Sequence, residues 1–504
     1  MFYSKKLITK KVSTHKLNFT AFSNTMNTEV DDAILPHKYA KLSYNFKVSN
    51  GALCTGIGFE NLTLPINENT TENQRQITVG ENSGIKAIWH YKYFDQNQNK
   101  PRHLLMYYTA EGYIYWAFVV HEFDPYFYKI ATTSLYPNGV PSAINYRLDG
   151  EDWMIFSSSA DGMWKYKVDY GAKKIEDGPC IASMCLHYER LFAVIEGERN
   201  RLAFSANLDP TNWNQELDDG GFIEMQDERG KLNKVVSFND YIYVFRDFGV
   251  ARLSAYGDQT QFSVSQLFVS GALIYGNSVC VCGQKIILLT RDGLHSFDGY
   301  TMTKMHLGID KLLKNVKNDN CSTLFYNGKY YLACKLDFGD DEKIGCESYP
   351  EGYVNNALIV IDVKTNDIEI YRGVDIASML MLDDGNICKL VACFNGEHKQ
   401  KIGQLTNDGL FFGKPLKKVW CSPKSDMGFP SKQKRIKQIL VKSKYPCKIK
   451  ICSEKQQKIY DVKPSDKTET IKTSVIGEQI SVSFISEYPQ AEISASQAIV
   501  EVMS

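Results

Sequence analysis

From Leu42 onward the chain alternates apolar and polar residues in short runs, broken repeatedly by Gly, Asn or Asp. A period of two over four to eight residues, closed by turn formers, predicts β-strands. The best helical stretch is short, GIDKLLKNV from Gly308 to Val316. The predicted class is therefore all-β. Residues 1–40 are polar and irregular, and they predict an extended N-terminal arm.

One unit recurs: an apolar strand, a turn often carrying Asp-Gly, then a second strand with an aromatic. It starts at His103 (HLLMYYTAEGYIYWAFV), Asp152, Glu189, Asp240, Gln284, Gly328 and, more weakly, Asn386. Successive starts differ by 49, 37, 51, 44, 44 and 58 residues. Four-stranded propeller blades repeat at about 40–50 residues. A small twisted sheet cannot cover both of its faces, so similar sheets stack around an axis until the ring closes. Seven hairpins predict a β-propeller of six to eight blades over residues 41–415. A run of sandwiches or a β-solenoid would share the spacing by coincidence. Closure needs an N-terminal strand in the last blade, and Lys41–Phe59, with Asn50-Gly51 at its turn, is suited to it. The loop from Gly339 to Asn355 is expected to project from one rim. After Lys414-Pro415 the repeat stops, and strands such as RIKQILVKS and EQISVSFIS predict a small β-sandwich over 416–504.

Charge sharpens this division. The whole chain is neutral, with 58 Lys/Arg and 58 Asp/Glu. Residues 416–504 hold 16 Lys/Arg against 9 Asp/Glu, net +7, which leaves −7 on residues 1–415. Such a split marks a solvated basic surface or a dock for an acidic subunit or DNA phosphate. Reversing several charges among Lys432, Lys434, Arg435, Lys437, Lys442 and Lys444 is predicted to weaken assembly in a salt-dependent way. The thirteen cysteines include no CxxC and read as reduced thiols in a cytoplasm. No apolar run reaches signal-peptide or membrane-span length.

Candidate chemistry is sparse, and no catalytic, cofactor or metal residue is predicted. HExxH, GxSxG, Walker and GxGxxG patterns are absent. The histidines, among them His37, His90, His121, His187, His295 and His306, show no close ligand spacing. SSADGMW (Ser158 to Trp164) is one approximate sialidase-type turn, unrepeated. The Asp-Gly pairs at Asp161, Asp292 and Asp408 suit turns that need a positive φ. Asp340, Asp341 and Glu342 lack the alternating oxygens of a calcium loop. The sequons at Asn18, Asn61, Asn69 and Asn320 read as chance.

The segment Met184 to Gly257 carries a resemblance. CLHYERLFAVIEGERNRLAFSANLDPTNWNQ gives strand, turn, strand, then Asp209-Pro210 and a Trp; VVSFNDYIYVFRDFGVARLSAYG follows. This resembles the β-propeller virion proteins of tailed phages, the packaged-DNA stabilisation and tail nozzle (tail tubular) proteins. NFKVSNGALCTGIGF resembles the family's opening, and VWCSPKSDMGFPSKQKRIKQILV its passage into a C-terminal sandwich. The resemblance implies a structural, non-enzymatic role in the tail or head–tail connector. It implies a ring homo-oligomer, sixfold by analogy, that contacts a portal, adaptor or other tail proteins. Such a ring would line a channel that retains and releases DNA, with non-specific DNA contact and no membrane. The protein would be made in the host cytoplasm and located in the virion. Two alternatives remain at this level: a carbohydrate- or receptor-binding tail adhesin, and a glycoside hydrolase if two carboxylates met in the axial pocket about 5–9.5 Å apart.

Overall fold

A computed structural model of the chain describes residues 12–18, 22, 26–32, 34–36, 39–62, 84–119, 127–216, 219–225, 227–339, 352–383 and 385–503. Seven antiparallel sheets follow one another along it, each with four strands in sequence order except the last. Their first strands are Ile85–Asp95, Ser142–Leu148, Ile181–His187, Leu232–Phe238, Cys280–Cys282, Ser322–Tyr326 and Ile376–Asp383. We number the sheets blades 1 to 7. The hairpins read from the sequence are the second and third strands of blades 1 to 6, for example Lys100–Thr109 with Ile114–Phe118; the weaker unit from Asn386 supplies the second strand of blade 7, Cys388–Phe394.

Period two decides how blades stack. In blade 1, Leu104, Met106 and Tyr108 join an apolar cluster with blade 2, while Leu105 and Tyr107 point the other way, into a cluster with blade 7. Both faces of the strand are therefore buried, which is why it reads as a nearly continuous apolar run. Each fully buried Leu contributes about 1.5–3 kcal/mol by leaving water. Every seam between consecutive blades has such a cluster, and the seam between blades 7 and 1 completes the circle. The architecture is a seven-bladed β-propeller followed by a β-sandwich.

The N-terminal region departs from expectation. Within Lys41–Phe59 only the end serves closure: Gly58–Asn61 pairs antiparallel with Ile402–Thr406 as the fourth strand of blade 7. Leu42–Tyr44 and the hairpin Phe46–Ser49/Ala52–Thr55 belong to the sandwich. The propeller thus begins at Gly58, not at residue 41. Within the arm, Val12–Asn18 is a strand that pairs with Glu492–Met503 of the sandwich. The reason is shared: a sandwich of C-terminal strands alone would leave open edges, and N-terminal strands cover them. The helix expected at 308–316 is a single turn, Asp310–Leu313. Most of the 339–355 loop, with Asp340, Asp341 and Glu342, lies outside the described residues.

One sandwich sheet runs Phe46–Ser49, Ala52–Thr55, Glu492–Met503, Gln433–Ser443, Glu469–Gly477; the other runs Leu42–Tyr44, Lys418–Cys421, Ile480–Ser486, Cys447–Ser453, Gln457–Val462. The leading strand of each abuts Ile368–Arg372, the outer strand of blade 6. Asn45, between those two strands, fastens the junction. It takes φ +61°, a conformation Asn tolerates. Its side-chain oxygen accepts from Arg372 N (2.8 Å), and its amide donates to the carbonyls of Arg372 (3.2 Å) and Lys417 (2.6 Å). Phe22 of the arm sits edge-on to Trp420 and Phe484 (4.9 and 5.5 Å) in the same core. Glycine is required beside the clamp: a Cβ on Gly56 would lie 2.4 Å from the Tyr371 ring, and one on Gly58 2.2 Å from Leu410 O.

Candidate interaction surfaces

Three regions of the molecule bear on function: the axis, the two rims and the outer perimeter. The axis is built from the seven first strands. These strands contain no glutamate, and their only aspartates are Asp95 and Asp383, each the last residue of its strand. Lys234 lies on the first strand of blade 4. Burial pushes its ammonium below the ordinary lysine range, while Cys280, Cys185 and Cys321 from neighbouring blades pull the other way. The Cys280 thiol is held below its usual value, chiefly by a hydrogen bond with Cys282 and against the effect of burial. The twelve described cysteines are all free thiols. Among the described residues no three His, Cys, Asp or Glu side chains gather as a metal site.

Two histidines do meet. His90 and His103 are thirteen positions apart, yet antiparallel pairing of the first two strands of blade 1 sets them side by side. His90 Nε2 and His103 Nδ1 are 3.0 Å apart with the rings stacked, and Asp383 Oδ2 of blade 7 is 4.0 Å from His103 Nδ1. Sequence spacing alone misses a pair made by a hairpin register. Burial, then the neighbouring His103, pushes His90 down to about 4. Of the other histidines, His187 bonds Ser237 (2.8 Å) and His295 the Gly293 carbonyl (3.2 Å), while His37 and His121 lie outside the described residues. Asp161 and Asp292 sit in second-to-third-strand turns. Asp161 accepts from Asn138 (2.8 Å) and Ser158 (3.2 Å), and Gly162 and Gly293 beside the pair take positive φ. Asp408 caps its own loop through Leu410 N (2.9 Å), with Gly409 at φ +70°. All three aspartates have the structural roles their dipeptides predict.

The rims differ in chemistry. Because strands alternate in direction, the first-to-second and third-to-fourth turns of every blade emerge on one face. On that face blades 1 to 5 each expose an aromatic: Phe94, Tyr170, Tyr188, Tyr256 and Tyr300, from 46% exposed at Phe94 to 72% at Tyr256. Tyr188 and Tyr256 touch edge to face across blades 3 and 4 (5.5 Å), and Arg252 lies between Tyr241 (4.6 Å) and Tyr300 (4.9 Å). A groove of about 430 Å³ between blades 1 and 2 opens there, lined by Tyr93, Phe94, Asp95, Arg147, Asp152 and Tyr170. The opposite face holds a groove of about 740 Å³ between blades 4 and 5, where Arg291, Lys304, Lys311 and Lys314 meet Phe248 and Asp310. Lys304 is paired with Asp310 (2.7 Å), which raises its pKa. The aromatic row could not be placed from sequence, since it requires knowing which turns share a face.

On the perimeter, the six cations singled out at the sandwich do not form one solvated patch. Lys434 is fully buried and donates to Glu478 O (2.6 Å), so it belongs to the core. Lys437 pairs with Glu501 (2.8 Å) and Lys444 with Glu492 (2.7 Å). Lys418 is also buried, donating to Leu416 O (3.1 Å) and Tyr488 O (2.8 Å); burial lowers its pKa to about 8. Alternation along Gln433–Ser443 hides one face of the strand and leaves Lys437 exposed, with Arg435 and Lys442 half-buried, on the other.

No family model matches this chain, and no curated protein matches it. Among solved structures it is similar to the AfRom2 CNH domain (TM-score 0.38, 8% identity), covering 69% of this chain and 98% of that one. It is similar also to the N-terminal domain of Nup159 (0.38, 5% identity, 69% and 95%). A third is BBS1N, solved in complex with ARL6DN (0.39, 9% identity, 69% and 96%). At these scores the likeness carries no function across.

Proposed function

We propose that this chain is a non-catalytic structural protein of a tailed-phage virion, a tail nozzle or head–tail connector component. In this reading copies assemble into a ring around a channel that retains and then releases DNA. The observation that carries the proposal is the resembling segment in blades 3 and 4, whose defining residues hold a fixed corner. Asp209 accepts from Thr211 N (2.9 Å) and Thr211 Oγ1 (2.7 Å), and Trp213 Nε1 donates to Pro210 O (3.0 Å). Buried Arg190 ties the same corner through Ser205 O (2.9 Å) and Asp219 O (3.1 Å). A motif spent on bracing a blade suits a rigid wall. The axial strands, with carboxylates only at two strand ends, give a glycosidase mechanism no interior acid–base pair among the described residues. Light scattering and negative-stain imaging of the purified chain test the reading. Annular oligomers are expected; a stable monomer at all concentrations overturns it.

The aromatic row favours a second reading, a glycan- or receptor-binding adhesin. Flat exposed rings beside carboxylates and an arginine can stack on and hydrogen-bond a sugar. Binding of glycans that is lost in a Phe94→Ser, Tyr170→Ser double variant would support this reading.

A further inference from the structure

The negative half of the charge split is not spread over the propeller. Blades 2 and 3, residues 142–224, contain 8 Lys/Arg and 15 Asp/Glu, net −7. With +7 on residues 416–504, everything else in the chain sums to zero. Five of the fifteen acids flank the outer strands of these blades, beside the exposed Lys173 and Lys174 of blade 2, the latter paired with Glu176 (4.0 Å). Asp169, Glu176 and Asp177 flank the outer strand of blade 2, Gly171–Ile175; Glu216 and Asp219 precede that of blade 3, Gly221–Glu224. Asp169, Glu176, Asp177 and Glu216 are exposed.

The sandwich is seated on blade 6. In a ring of seven, blades 2 and 3 are each three positions from blade 6, the greatest separation available. The positive pole is the outward face of the six-stranded sheet. There the register aligns Lys16, Ile499, Gln438 and Lys472 in one row across four strands. Lys432 lies exposed at the strand entrance, and Lys16 and Lys472 are exposed as well. Asn45 and the N-terminal strands fix the sandwich to the ring, so the two poles cannot approach one another within a single copy. Oppositely charged surfaces on far sides of a rigid body are satisfied by a neighbour in head-to-tail order.

We propose that copies of this chain associate head to tail, the cationic sheet of one sandwich docking on the acidic perimeter of blades 2 and 3 of the next. This deepens the assembly part of the reading above and rests on it only for the identity of the partner, a second copy. A heterologous contact of this kind closes into a ring or extends as a filament, according to its rotation.

Sedimentation velocity of the full chain at about 20 mM and about 500 mM salt tests it, conditions in which charges are screened over roughly 20 Å and 4 Å. Concentration-dependent association is expected at low salt, weakened at least about tenfold at high salt. Two reversals are made separately: Lys16→Glu, Lys432→Glu, Lys472→Glu on the sheet, and Asp169→Lys, Asp177→Lys, Glu216→Lys on the blades. Each should reduce association to a similar extent while leaving the melting temperature unchanged. All six changes in one chain should restore it. Association indifferent to the blade reversal, or no recovery in the six-fold variant, overturns the proposal. So does a sheet reversal that abolishes binding of added duplex DNA while self-association persists. Rings that ignore charge reversal would leave the connector reading standing without this interface; charge-dependent open filaments would support the interface and sink the connector.

Discussion

The propeller and the sandwich are made of similar strands but assembled in opposite ways. Each of blades 1 to 6 is one continuous stretch of chain, and its strands pair with their sequence neighbours. The sandwich gathers strands from both ends: Val12–Asn18 and Ala52–Thr55 pair along the same edge of Glu492–Met503. Local pairing carries a small loop-closure cost, whereas pairing across more than 400 residues carries a larger one and slows folding. Blade 7 is intermediate, three local strands and one imported from residues 58–61. The joint between the two regimes is the short stretch from Asn45 to Gly58, so the molecule is most sensitive there.

The largest effect is expected at Gly58. Gly58→Val would force a side chain into the backbone of Leu410 (2.2 Å to its oxygen, 2.7 Å to its nitrogen) and expel the closing strand. Loss of more than about 3 kcal/mol, or failure to fold, should appear in chemical denaturation. Gly271→Ala, with nothing within 4 Å, is the control and should stay within about 0.5 kcal/mol. Next, Asn45→Ala removes three side-chain hydrogen bonds and leaves a non-Gly residue at φ +61°. A cost of about 2–4 kcal/mol is expected, and calorimetry should resolve the single transition into separate melting of ring and sandwich. Retention of one transition would show that the clamp does not couple them.

The seam between blades 1 and 7 should respond to acid. His90 has a folded pKa near 4 against 6.5 for the free side chain, so the unfolded chain binds the proton first. Stability should fall as pH drops from about 6.5 through 4. His103, Lys92 and Asp383 are the charged or titratable groups around it. A melting-temperature profile across this range should flatten in His90→Gln, and an unaltered slope would place the acid sensitivity elsewhere. The smallest effect separates bracing from binding residues. Asp161→Ala loses the bonds from Asn138 and Ser158 and should cost about 1 kcal/mol. Tyr256→Ser, on the exposed rim, should change stability by less than about 0.5 kcal/mol.

What could be read from the chain follows the same division. The hairpins of blades 1 to 5 were legible because their second and third strands are adjacent in sequence and joined by a short turn, Asp-Gly in blades 2 and 5. The first strand of each blade was harder to see: SAINYRL (Ser142–Leu148) carries no turn dipeptide to mark it. The absence of metal and nucleophile motifs was equally plain. The His90–His103 pair was not legible, because a hairpin register sets it, and neither was the burial of Lys434 and Lys418 inside a basic segment.

By itself, then, the sequence determined that the chain is all-β, that it repeats as a propeller, and that its C-terminal part is a basic unit of another kind. These properties depend on neighbours within about fifty residues, where alternation and turn chemistry act directly. Only the tertiary structure decided how many blades close the ring, that residues 12–55 complete the sandwich, and that the acidic blades stand opposite the basic sheet. Those outcomes depend on which distant edges and faces need covering, a condition that exists only once the local sheets have formed.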